Sequence, residues 1–235
     1  FVNTNFKGAN LSRANLSEGN FSSSDLSKTK FKDTNISGVI FNDTNLSDAD
    51  LSGVNLKKKK FKGANLVGAN LQGANLSRAN LQNTNLQKAN LQDTNLSGAN
   101  LSGANLSGAN LKKANLYEGD FNGTNFEKAN LQGANLSAAY LVWTNFSDAK
   151  LIEANFSEAN LIKSNLTGAN LARTNFEGAY LGWTDLSRAT LKNTNFLGSY
   201  LGWANLSEAN LQGANLTKTN FEGANLIRTN FEDAN

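Results

Sequence analysis

The chain contains no cysteine and no histidine among its 235 residues. Those absences remove thiolate nucleophiles, imidazole bases, disulfides and the usual zinc ligands together, and with them most enzyme mechanisms. Excess charge is also lacking: 22 Lys and Arg against 19 Asp and Glu leave +3, too mild for a nucleic-acid partner or for an acidic imitation of one. No apolar run approaches the ~18 residues that a membrane helix needs, and no basic segment leads into an apolar stretch as in a secretory signal. What is present suffices for a core, since apolar residues make up 39% and 20 Gly add to them.

Every fifth residue from Phe1 onward is apolar and large: 32 Leu, 14 Phe and Ile36 fill 47 positions out of 47. A unit of the type Ala-Asn-Leu-Ser-Gly therefore runs through residues 1–235 with no linker, which predicts one uninterrupted domain. The Ala position holds almost only small residues, and the Asn position between it and Leu holds 35 Asn. Small inward, polar outward, large inward is strand spacing, and the Asn side chains are expected to point to water. A period of five matches neither helix nor strand, so each unit must also turn. Sixteen of the 20 Gly stand in the last position, where a type II turn demands positive φ. Corners without Gly are expected to take type I geometry.

Stacked coils place like residues over like, so Phe should favour Phe as a vertical neighbour. Six Phe pairs lie four repeats apart (1/21, 21/41, 41/61, 126/146, 156/176 and 176/196), more than at any other separation up to six. The motif Tyr-Leu-x-Trp begins at Tyr140, Tyr180 and Tyr200, again at multiples of twenty. These units resemble the A-(N/D)-L-x-x repeats of the pentapeptide-repeat family, and the resemblance covers all 47. It implies an all-β fold, a right-handed quadrilateral parallel β-helix of about twelve coils at ~4.8 Å per coil. The chain begins on a core Phe and ends in mid-register, and it is expected to be the repeat section of a longer protein. Inward Thr and Ser hydroxyls would cost about 1–3 kcal/mol each if dry and unpaired, so they are expected to bond nearby backbone groups.

Three departures from the pattern are candidates for function. The Tyr-Leu-x-Trp units put Tyr140, Tyr180, Tyr200, Trp143, Trp183 and Trp203 on one wall, with Val142 and Ile162 adding apolar area. Half exposure of six rings gives a patch of roughly 600 Å², above what monomers usually leave bare, which points to a partner-binding surface. Rings leaning on one another across coils are the alternative. Gly182 and Gly202, just before two of the Trp, suggest corners with positive φ at their first central residue. Secondly, no acidic residue occurs between Leu51 and Gln92, whereas Lys57, Lys58, Lys60, Lys62 and Arg78 do, a candidate patch for an anion or an acidic partner. Thirdly, Lys59 stands in an inward small position. Its stem is expected to pack while its ammonium reaches solvent, or its coil to bulge.

Carboxylates such as Glu153 and Glu158 fall on convex corners, and a narrow rod with a filled core implies no pocket. The expected function is thus a noncatalytic structural or protein-interaction rod without cofactor or metal. It would serve as an accessory or scaffold subunit that docks through the Tyr/Trp wall, with self-association through that wall or the coil ends as a further option. The resemblance also brings in relatives that engage DNA gyrase by imitating duplex DNA, which the +3 charge disfavours. A carbohydrate- or surface-binding module is a third reading. Many Asn-x-Ser/Thr triplets arise from the repeat, so a bacterial cytoplasm or organelle interior is expected over a glycosylating route.

Overall fold

The structure is a computed structural model that describes residues 1–235. Each repeat but the last contributes one bridge residue, at the Asn position, and each bridge pairs residue i with residue i+20 in parallel, from Asn5–Asp25 to Asn210–Asn230. One coil is therefore four repeats, and the chain winds as a right-handed quadrilateral β-helix. The first wall carries residues 20–23 and every twentieth set after them, including 140–143, 160–163, 180–183 and 200–203. The fourth wall carries 15–18, 35–38 and 55–58.

The backbone explains the register. In a typical repeat the Leu N–H donates to the carbonyl nineteen residues on (Leu96 to Asn115, 2.7 Å) and the Asn N–H donates to the carbonyl twenty-one residues back (Asn115 to Thr94, 2.9 Å). Inside, Leu and Phe form a continuous cluster with the small Ala between them. All six Phe pairs that lie four repeats apart stack, with ring centroids 4.9–6.0 Å apart. Most Thr hydroxyls of the small position donate to the Leu-position carbonyl of the preceding coil, as Thr144 does to Phe121 at 2.9 Å and Thr94 to Leu71 at 2.7 Å, while Thr84 donates within its own coil to Leu81. Among buried hydroxyls, that of Ser164 alone lacks a partner.

Two expectations are corrected here. Corners without Gly do not switch to type I geometry. The third residue of the turn has positive φ at all 47 corners, 16 Gly and 31 others, with φ between 53° and 63° for the latter. The stack fixes the carbonyl directions of every corner alike, so a side chain there accepts the left-handed region at about 1–2 kcal/mol. The Asn side chains, moreover, do not simply face water. Asn90 Oδ1 accepts the Gln92 N–H at 3.3 Å and the Asn110 amide at 3.1 Å, while its own amide donates to Asn70 Oδ1 at 3.2 Å. Asn thus closes a local turn and forms a rung between coils, which the outward reading missed.

Candidate functional site

The Asn rungs run through columns such as Asn70–Asn90–Asn110, Asn115–Asn135–Asn155 and Asn145–Asn165. The first-wall column, through Asn80, Asn100, Tyr140, Asn160, Tyr180 and Tyr200, has no such rung. Tyr therefore replaces Asn in the column where nothing between coils is lost. The local turn is repaired at Tyr140, where Asn122 of the neighbouring coil accepts the Val142 N–H at 2.8 Å.

The register brings Tyr140, Trp143, Ile162, Tyr180, Trp183, Tyr200 and Trp203 onto one wall and its corner. Trp183 and Trp203 stack with centroids 5.1 Å apart and planes 9° from parallel. Lys163, in the coil between Trp143 and Trp183, places its ammonium 4.8 Å from the centre of the Trp143 ring. Tyr140, Trp143, Tyr180, Trp183 and Trp203 nevertheless keep 46–65% of their surface in solvent, while Tyr200 and Ile162 are half-buried. Stacking and exposure thus coexist.

Gly182 and Gly202 act differently from the expectation. Positive φ falls on Trp183 (55°) and Trp203 (56°), and neither Gly has it. Both are buried beneath the Tyr200 ring: a Cβ at Gly182 would lie 3.1 Å from that ring, and one at Gly202 would collide with the phenol. Their role is room. Sequence reasoning missed Gly223, where a Cβ would come 2.6 Å from Trp203 Nε1; the signal was a Gly twenty residues after a Trp.

Of the basic candidates, Lys60 and Lys62 lie on the first wall, and Lys57, Lys58 and Arg78 on the fourth. All four of these Lys are exposed. Lys59 is half-buried, its turn bond to Leu56 is intact at 3.1 Å, and its coil does not bulge. Instead the neighbouring coils part beside it. The N–H groups of Asp33, Ile36, Gly38 and Asn55 make no backbone hydrogen bond, although the corresponding groups of other coils do, and the Asn35–Asn55 bridge is missing while the Ile40–Lys60 bridge beyond it is kept. The expectation of no pocket is thereby corrected: grooves open along this seam. One of about 270 Å³ is lined by Thr34, Asn35, Ile36, Ser37, Asn55, Lys57 and Lys59. Asp25 is held below the usual carboxylate value by hydrogen bonds from the Ser27 side chain and N–H, and Lys128 is raised by its bond to Glu127.

A sequence model described as Pentapeptide repeats matches successive segments from 4–43 to 204–235, and the chain belongs to that family. Among solved structures it is similar to HetL, a pentapeptide repeat protein involved in heterocyst differentiation regulation in the cyanobacterium Nostoc sp. strain PCC 7120. Identity is 30%, over 97% of this chain and 90% of that one, with a TM-score of 0.43. Rfr23 from the cyanobacterium Cyanothece 51142 is 32% identical over 45% of this chain and 62% of its own, with a TM-score of 0.29. QnrB1, a plasmid-mediated fluoroquinolone resistance protein, is 16% identical over 94% and 90%, with a TM-score of 0.37. A search of curated proteins found no match. No helix is long and apolar enough to cross a membrane.

Proposed function

We propose that the chain is a noncatalytic protein-interaction rod that holds another protein against its Tyr/Trp wall. The observation that carries this reading is the Trp183–Trp203 stack, ordered by 5.1 Å contact yet about half exposed. Stacking fixes the rings before a partner arrives, so little side-chain entropy is lost on binding. Aromatic side chains of this kind dominate interface energies when they are enclosed. Membership of the family fits such a role, and the absence of His and Cys weighs against catalysis.

The test is photo-crosslinking in the source cell from a benzoyl-phenylalanine placed at Trp183, with a second probe at exposed Lys192 on another wall as control. The expected result is one discrete adduct from position 183 and none from 192. An adduct to a second copy would make self-association the occupant. Equal labelling from both positions, or none from 183, refutes the reading. Where an adduct forms, replacing Trp183 and Trp203 by Ser in a chain probed at Tyr180 should abolish it while leaving the fold intact.

A further inference from the structure

The parted seam has a clear origin in the sequence. The small inward position is Ala, Gly, Ser or Thr at every repeat except Val39, Val54 and Lys59, and all three lie in these two coils. Ile36, the one Ile of the Leu position, lies there too. Bulk in a slot sized for Ala or Thr holds the coils apart along the wall that carries 35–38 and 55–58, whereas the Phe21–Ile40, Leu26–Asn45 and Phe31–Asp50 bonds keep the preceding part of the coil closed onto its neighbour. Beside the unpaired donors of Ile36 and Gly38 on one coil and Asn55 on the next, the opening gathers Lys57, Lys58, Lys59 and Lys60 around two adjoining grooves of about 270 and 190 Å³. No carboxylate lines either groove.

Unpaired backbone N–H groups beside ammonium groups are complementary to a compact anion with several acceptor oxygens. We propose that the seam is a binding site for a di- or triphosphate group, with Lys57 and Lys59 as the charged ligands and the Ile36 and Gly38 N–H groups as donors. Lys58 and Lys60 line the second groove, where a further phosphate would sit. An opposing charge comes from Glu18, whose carboxylate lies over the Gly38 corner from the preceding coil. Asp33 lies in the next groove along the seam, together with Lys32. This site is separate from the Tyr/Trp wall, and its failure would leave that proposal standing.

The experiment is calorimetric titration of the whole chain with inorganic pyrophosphate, joined to amide hydrogen exchange. Saturable binding at one site is expected, with slower exchange at Ile36, Gly38 and Asn55. Lys57→Gln and Lys59→Gln should each weaken binding about tenfold, the usual worth of a charge-assisted hydrogen bond. Lys192→Gln, on a distant corner, should not weaken it. Glu18→Gln should tighten it, a change of opposite sign that no folding defect would mimic. Absence of saturable binding, equal weakening by Lys192→Gln, or unchanged exchange at the three amides would overturn the proposal. Tighter binding of a hexaglutamate peptide than of pyrophosphate would overturn it in favour of an acidic protein segment.

Discussion

Replacing Lys59 by Ala should strengthen the fold, although it removes a large side chain. The Ile36, Gly38 and Asn55 donors are missing rungs of the grooves that Lys59 lines. A backbone hydrogen bond contributes a net 0.5–1.5 kcal/mol, so closing three gives about 3 kcal/mol. Losing the packing of the half-buried Lys stem costs roughly 1 kcal/mol. The net gain is about 2 kcal/mol, and it is local, because a solenoid's stability is a sum over neighbouring coils. Native-state amide exchange reads it directly. In the wild-type chain the three amides should exchange far faster than the paired amides of Leu96 and Leu106, and in Lys59→Ala they should slow by about thirtyfold. If they are already protected in the wild type, or remain fast in the variant, bulk at position 59 does not hold the seam open.

Ala138 has φ 54°, so Ala138→Gly should raise stability by about 0.5–1 kcal/mol in a denaturant titration, reversing the usual sign of that change. Thr144→Val keeps the side-chain shape but loses the hydroxyl bond to Phe121; a cost of about 1 kcal/mol is expected from the same assay. For Asp25 the folded-state pKa is depressed, so its contribution to stability is present above the ordinary carboxylate value and disappears as pH falls through the lowered one. Asp25→Asn should therefore flatten the acid limb of a stability–pH profile and lower stability at neutral pH by the carboxylate's contribution, with little change at the lowest pH.

The period of five and the placement of Phe sufficed to read the coil, because stacking repeats one environment and side chains of one kind fill it. The Tyr/Trp wall followed from the same register without further information. Corner geometry was not legible at Lys, Asp or Trp, since local propensity favours negative φ there and the ladder overrides it. The Asn rungs were missed because a polar residue facing out looks the same in sequence whether it meets water or the next coil. The seam was half legible: Val39, Val54 and Lys59 each looked like a local exception, and their shared coil interface became visible only with coordinates. Gly182 and Gly202 read as turn formers because Gly signals both positive φ and empty space, and sequence alone does not separate the two.

The central claim is that side chains twenty residues apart lie directly over one another. In a chain free of Cys, an engineered cysteine pair reports this without ambiguity. Gln87 and Ser107 already meet at 3.1 Å, and a disulfide requires Cα atoms about 4.4–6.8 Å apart. Gln87→Cys with Ser107→Cys should oxidise to a single intramolecular bridge in the native protein, while Gln87→Cys with Ser102→Cys, on adjoining corners, should stay reduced. Bridging of the second pair and not the first would contradict the four-repeat coil.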